Sequence, residues 1–131
     1  MAKVLLLNVV GLTQRHLDHA PRLKAVGAAA PLAPPLPAVT STCEATLLTG
    51  LAPSGHGVVA NGWYHRDLNE IWFWRHSNRL VAGRKLWDDV DGTTAVLFWR
   101  FNMATRAGVS VAERPAYPAD GRKIPDLYTN P

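Results

Sequence analysis

The sequence predicts an α/β fold, a three-layer sandwich with a mostly parallel central sheet between layers of helices. Two observations support this prediction. Short apolar segments alternate along the chain with segments of helical pattern, which is the order of a parallel sheet with crossover helices. In addition, residues 3–10 and 93–99 are apolar along most of their length, as expected for strands that are covered on both faces.

The first elements follow from apolar runs and prolines. Residues 3–10 predict a strand that ends at Gly11. Residues 15–29 have a helical pattern that Pro21 interrupts, so the helix is expected to start there, with the proline in its first turn. The segment 31–37 contains four prolines and therefore predicts an extended connector.

The clearest helix is predicted over residues 42–51. Ser41 and Glu44 have the spacing of a capping box, in which two side chains accept hydrogen bonds from free N–H groups at the helix start. Gly50 and Pro53 are typical of a helix end. This helix therefore has a predicted beginning and a predicted end.

The second half of the chain predicts shorter elements: a turn at Asn61–Gly62, a strand over 71–75, a helix over 80–90 and strands over 93–99 and 109–112. These strands are few for a sheet with two covered faces. We therefore expect residues 1–131 to be the N-terminal part of a longer domain.

Composition excludes several classes of protein. Hydrophobic residues make up 47% and charged residues 18% of the chain, which argues against a disordered protein. The net charge of +4 is scattered, so no nucleic-acid polymer is expected as a partner. No apolar run is long enough to predict a membrane span. The single cysteine, Cys43, cannot form an internal disulfide, which predicts a cytoplasmic location.

The proline-rich connector leads to Thr40 at the predicted start of a helix. Helix starts attract anions because their first N–H groups are unpaired and the helix dipole is positive there. A threonine hydroxyl at such a place can act as a nucleophile when a base or a metal ion activates it. The alternative is ordinary capping by Ser41, with Thr40 and Thr42 as bystanders.

The segment from Thr40 to Asn61 resembles the nucleophile region of the alkaline phosphatase superfamily, in particular its type I phosphodiesterase/nucleotide pyrophosphatase group. Thr40 is followed by Thr-Leu-Leu-Thr-Gly-Leu at residues 46–51 and then by Pro53, His56 and Asn61. These elements occur in the order of the group and without a gap. The 21 residues from Thr40 to Asn61 also equal the spacing of the group.

The resemblance implies a metal-dependent phosphoester hydrolase. Thr40 would be the nucleophile and a metal ligand, and Asn61 would donate its amide to a phosphate oxygen. The cofactors implied are two divalent ions, usually zinc, held by Asp and His side chains that are expected mostly beyond residue 131. The substrate would be a small phosphate-containing molecule.

The resemblance fails at one metal ligand. The first strand of the group normally ends in Asp-Gly, and the matching pair here is Val10-Gly11. Asn8 lies on the same strand face as Val10, so its carbonyl oxygen is a candidate metal ligand; the alternative is that Asn8 bonds neighbouring backbone. The loss of the carboxylate motivates a second hypothesis, a non-catalytic or altered-metal relative that binds an anionic, phosphate-containing ligand.

Two further hypotheses concern side chains near this motif. Trp63 follows Asn61 closely and can either stack on the leaving group of a substrate or pack in the core. Cys43 lies in the first turn of the predicted helix, but a thiol enzyme needs a histidine beside it, and no feature of the sequence predicts one there.

Overall fold

The computed structural model describes residues 3–75, 77–112 and 129–130 and contains both helices and strands. This mixed composition confirms the predicted class in broad terms. The chain divides into two compact units, Met1–Ala33 and Pro34–Pro131. Among the residues that the structure describes, no helix has the length and apolar character needed to cross a membrane.

The first unit lacks the strand predicted over residues 3–10. Residues 3–9 belong to no strand, and a turn begins at Val10. The apolar side chains are exposed, with Leu5 at 80% and Val10 at 79%. The prediction of a strand was wrong for the described structure, because a strand forms only where a neighbouring backbone completes its hydrogen bonds.

Two short helices replace the single one predicted over residues 15–29. Helix α1 spans Gln14–Leu17 and helix α2 spans Pro21–Lys24. The break falls where Pro21 predicts it, because proline cannot donate a backbone hydrogen bond inside a helix but fits its first turn. Neither helix contains a buried residue.

The first helix of the second unit is α3, which spans Thr40–Thr49 and is the longest among the described residues. It ends at Gly50, whose φ of 69° is the left-handed conformation that glycine adopts without strain. A short helix, α4, follows over Pro53–His56 with its proline in the first turn. The helix predicted over residues 42–51 is thus confirmed, two residues earlier than expected.

An antiparallel hairpin follows, formed by β1 over Gly62–His65 and β2 over Glu70–Phe73. The predicted turn at Asn61–Gly62 was wrong, since the chain turns at residues 66–69. The Trp74 N–H donates a hydrogen bond of 2.9 Å to the Asn61 carbonyl oxygen, so the pairing of the two strands extends to the residue before β1.

The helix predicted over 80–90 is confirmed only in part: a 3₁₀ helix, Leu86–Asp89, lies within that range, and another, Asn78–Leu80, ends at its first residue. Between them Gly83 has a φ of 85°, which interrupts a right-handed helix. The sequence predicted helical residues here but not the break.

A second sheet contains three strands, β3 over Ala95–Leu97, β4 over Val109–Val111 and β5 over Thr129–Asn130. Strand β4 pairs with β3 in parallel and with β5 in antiparallel orientation. The strands predicted over 93–99 and 109–112 are confirmed, although they are shorter. The described residues form only these two small sheets, and the three-layer sandwich stays a prediction.

The core of the second unit joins α3 to the segments that follow it. Its buried members are Ala45, Leu48, Val58, Val81 and Phe101. Three tryptophans pack against this cluster while remaining partly exposed: Trp63, Trp87 and Trp99. Helix α3 therefore rests on residues contributed by both halves of the unit.

Candidate active site

The candidate site lies at the amino end of helix α3. Val39 is the last residue before the helix, with extended backbone angles, and its carbonyl oxygen accepts the first helical hydrogen bond, 2.9 Å from the Cys43 nitrogen. Thr40 is therefore the first residue of the helix, and it is half-buried. Thr40 thus lies at a helix start, as the sequence predicted, and an anion site beside it stays a prediction.

The first backbone N–H groups of α3 point out of the helix. Those of Thr40, Ser41 and Thr42 have no acceptor within the helix, because the residue four positions earlier lies outside it. Together with the helix dipole they carry partial positive charge at this end. The site is thus polarised toward an anion before any charged side chain is considered.

Asn61 reaches this end of the helix from 20 residues away. Its side-chain oxygen Oδ1 accepts a hydrogen bond of 2.9 Å from the Ser41 N–H. Because a backbone N–H can only donate, the amide atom facing it is the oxygen, and this contact defines the orientation of the Asn61 amide. The Nδ2 group, which carries two donor hydrogens, takes no part in this hydrogen bond. The structure brings Asn61 to the start of the helix that Thr40 opens.

The capping box predicted for Ser41 and Glu44 was wrong. Ser41 is the second residue of the helix and is buried, with its N–H bonded to Asn61. The Glu44 carboxylate instead accepts a hydrogen bond of 3.0 Å from the Arg100 N–H, which lies 56 residues along the chain. The local spacing fits a capping box, but the Ser41 N–H and the Glu44 carboxylate both form hydrogen bonds with residues far along the chain.

Behind the site, a buried histidine ties α3 to the segment that leads to Asn61. His56 is fully buried. Its Nε2 lies 2.9 Å from the Thr46 hydroxyl oxygen, and its Nδ1 accepts a hydrogen bond of 3.1 Å from the Val58 N–H. Since Nδ1 accepts, Nε2 carries the proton and donates it to Thr46.

Burial lowers the pKa of His56 below its usual value of 6.5. The cause is desolvation, which disfavours the charged form of an imidazole. The neutral ring is also the form that the two hydrogen bonds require, because a protonated ring has no acceptor for the Val58 N–H. Geometry and burial thus agree that His56 is neutral.

Two side chains close to Thr40 in sequence also lie in α3. Thr42 is fully buried, and its hydroxyl oxygen has no hydrogen-bond partner among the described residues. Cys43 is a free, half-buried thiol. The sequence singled out both positions, but the burial of Thr42 depends on long-range packing that local patterns do not report.

Trp63 contributes to the core. It packs against the core cluster, and its ring lies 5.4 Å from the His65 ring, which in turn lies 4.2 Å from Trp72. The guanidinium group of Arg75 lies over Trp72, 4.5 Å from the ring centre. Of the two roles weighed for Trp63, these contacts favour packing.

The comparison with family models decides the family. The model described as "Type I phosphodiesterase / nucleotide pyrophosphatase" matches residues 4–129, nearly the whole chain. The chain belongs to the type I phosphodiesterase/nucleotide pyrophosphatase family. Phosphoester hydrolysis is the chemistry associated with this family, and small phosphate-containing substrates are consistent with it. Neither the curated proteins nor the solved structures contain a match to the chain.

The metal ions that this type I phosphodiesterase family implies need acidic and imidazole ligands. Among residues 3–75, 77–112 and 129–130, no group of three or more His, Cys, Asp or Glu side chains is placed to hold a metal ion. The described residues offer Thr40 without such a set, so they do not by themselves fit a two-metal centre. Asn8, the candidate ligand, is exposed and belongs to the first unit, and its role stays a prediction.

Two contacts in this member of the family were invisible to sequence reasoning: the Asn61 bond to Ser41 and the Glu44 bond to Arg100. The family motif predicts the Asn61–Ser41 contact only indirectly, because it assigns Thr40 and Asn61 to the same site. Nothing in the local sequence signals the second, because its partners are distant and Arg100 contributes a backbone group.

Proposed function

We propose that this protein hydrolyses a phosphodiester or pyrophosphate bond of a small substrate, with Thr40 as the nucleophile and Asn61 as a donor to the reacting phosphoryl group. The observation that most supports this proposal is the 2.9 Å hydrogen bond between the Ser41 N–H and Asn61 Oδ1. It holds the Asn61 amide at the start of the helix that Thr40 begins, where unpaired N–H groups favour an anion.

In the proposed reaction the Thr40 oxygen attacks phosphorus. A bond from this oxygen to phosphorus forms while the bond from phosphorus to the leaving-group oxygen breaks, and the hydroxyl proton passes through solvent to the departing oxygen. Water then attacks the phospho-threonine, which releases the product and restores Thr40. The Asn61 Nδ2 group and the Thr40 N–H would bind the nonbridging oxygens, where negative charge grows in the transition state, while the Ser41 N–H stays bonded to Asn61.

The proposal includes two divalent ions, of which zinc is the expected metal. Such ions supply Lewis acidity, which lowers the pKa of a coordinated hydroxyl. Most of their ligands would come from beyond residue 131, with Thr40 and Asn8 as candidates within the chain. The three-layer sandwich with a mostly parallel sheet belongs to the same proposal, as does a cytoplasmic location.

The test is the substitution Thr40→Ala in the full-length protein, with hydrolysis of a chromogenic phosphodiester as the readout. We expect loss of at least about a thousandfold in kcat, because a covalent path is removed. The variant Thr49→Ala is the matched control, since Thr49 lies in the same helix and its hydroxyl donates to the Ala45 carbonyl oxygen. A Thr40→Ala variant with wild-type activity would remove Thr40 from the mechanism.

Val10 favours a second candidate function, a relative that binds an anionic, phosphate-containing ligand without turnover. The residue stands where the group normally has a metal-binding aspartate, and it is 79% exposed. Metal analysis of the purified full-length protein separates the two candidates. Two tightly held ions per chain support the hydrolase, whereas a protein that binds phosphate without any metal supports the binding role.

A further inference from the structure

We propose that His56 and Thr46 are positioning residues for Asn61: the hydrogen bond between them sets where the Asn61 amide meets the start of helix α3. The contacts that carry this inference lie within one unit of the structure. Its consequence for catalysis rests on the proposed function, but the geometric coupling can be measured without turnover.

The chain between His56 and Asn61 is attached to α3 at both of its ends. At one end, His56 Nε2 donates to the Thr46 hydroxyl at 2.9 Å. At the other, Asn61 Oδ1 accepts from the Ser41 N–H at 2.9 Å. The attachment points on the helix are five residues apart, which corresponds to about 7.5 Å along its axis. The short segment 57–60 joins them, so movement of one attachment is transmitted to the other.

His56 is also held to its own surroundings. Its Nδ1 accepts from the Val58 N–H at 3.1 Å, and Val58 is a fully buried member of the core. The backbone carbonyl oxygen of His56 accepts a hydrogen bond of 2.9 Å from the N–H of Ala82, the residue that follows buried Val81. The ring is therefore a rigid link between α3, the core and the segment that ends at Asn61.

Thr46 offers the cleanest way to break this link. Replacing buried His56 removes a large side chain from the core, whereas Thr46→Val removes one hydroxyl and keeps a similar shape. Thr46→Ser retains the hydroxyl and is the conservative control. Thr49→Val removes a hydroxyl from the same helix, where it bonds only the nearby backbone, and is the matched control.

The measurement is hydrogen exchange of individual backbone amides by NMR, on the full-length protein. The Ser41 N–H donates to Asn61, so its exchange reports on that contact, while the Gly50 N–H donates to the Thr46 carbonyl oxygen at 2.8 Å and reports on the helix itself. In Thr46→Val we expect exchange at Ser41 to be about tenfold faster and exchange at Gly50 to be nearly unchanged. Thr46→Ser and Thr49→Val should keep the wild-type rate at Ser41.

Three outcomes would overturn the proposal. Ser41 exchange could stay at the wild-type rate in Thr46→Val. It could rise together with Gly50, which would show general loosening of the helix. Thr49→Val could accelerate it equally, which would make the effect a property of any lost hydroxyl. Each outcome separates a structural lesion from positioning of Asn61.

Activity provides a second readout. If His56 and Thr46 act through Asn61, Thr46→Val lowers kcat in the wild type and has no further effect in an Asn61→Ala background. Multiplicative losses in the double variant would contradict positioning. A protein that shows the exchange effect but hydrolyses no phosphoester would refute the proposed function and leave this inference standing.

Discussion

Residues 3–10 contain the candidate ligand Asn8 and residues 40–61 contain Thr40 and Asn61, yet the two segments differ sharply in how many of their side chains are buried and bonded. In 40–61, core side chains are buried and hydrogen bonds join helix α3 to the segment that follows it. In 3–10, the apolar side chains are exposed and no strand forms. Helix α3 finds its partners among the described residues, both within 40–61 and at Val81, Phe101 and Arg100, whereas a strand of a parallel sheet forms only when a neighbouring strand completes its hydrogen bonds.

Among the tests of this comparison, the largest effect is expected from removing the hydrogen bond between Asn61 and the Ser41 N–H. Asn61→Ala removes both the acceptor for the Ser41 N–H and the Nδ2 donor, and we expect kcat/KM for a phosphodiester to fall about 100-fold to 1,000-fold. Steady-state kinetics on the full-length protein measure this loss.

Asn61→Asp separates the two roles of that side chain. Aspartate keeps an oxygen for the Ser41 N–H but has no amide donor, so thermal stability should be retained while activity is lost. An active Asn61→Asp variant would mean that Asn61 only accepts the Ser41 hydrogen bond and takes no part in catalysis. Residues 40–61 would then differ from 3–10 in packing and hydrogen bonding but not in a shown role for Asn61.

The next effect compares the two regions by stability. Leu48 in α3 is 1% exposed, and Leu5 is 80% exposed. We expect Leu48→Ala to lower the free energy of unfolding by about 3 kcal/mol, through lost burial and a residual cavity. Leu5→Ala should change it by less than about 0.5 kcal/mol.

Urea unfolding of both variants measures the difference. Equal and large losses of unfolding free energy would show that residues 3–10 are buried as the sequence predicts. The contrast drawn between the two regions would then be wrong. A small loss in Leu48→Ala would instead show that α3 does not lie in the core.

The smallest effect concerns pH and residues 40–61 alone. Because burial lowers the pKa of His56, the unfolded chain takes up a proton at a higher pH than the folded chain. Stability is therefore complete above the unfolded value of 6.5 and falls as pH decreases below it.

Unfolding measured at stepped pH values between 7.5 and 5 shows this slope. His56→Gln should reduce the slope, and His19→Gln, a change at an exposed histidine of the first unit, is the control. The same slope in wild type and His56→Gln would contradict the role of the buried neutral ring.

The comparison also explains how far the sequence predicted the fold. Gly50 ends α3 and Pro21 starts α2 as predicted, because glycine and proline act through local backbone angles. The Asn61–Gly62 turn was wrong, since strand pairing carried the chain past it. The sequence therefore predicts features that depend on local backbone angles, but it does not predict which backbone segments pair as strands.

The candidate site follows the same division. The order and spacing of the motif identified Thr40 and Asn61, which the structure brings to one end of α3. The capping box at Ser41 and Glu44 satisfied every local rule, but Arg100 and Asn61 supply the actual partners. Hydrogen bonds between residues 20 or 56 positions apart leave no periodic trace in a sequence.

The central claim is that the Thr40 oxygen forms a bond to phosphorus. Rapid acid quenching of the full-length protein during phosphodiester turnover, followed by peptide mass spectrometry with fragmentation, tests it most directly. We predict a phosphoryl adduct on Thr40 that accumulates during turnover and is absent in Thr40→Ala. An adduct on another residue, or hydrolysis that proceeds in Thr40→Ala at the wild-type rate, would contradict the account.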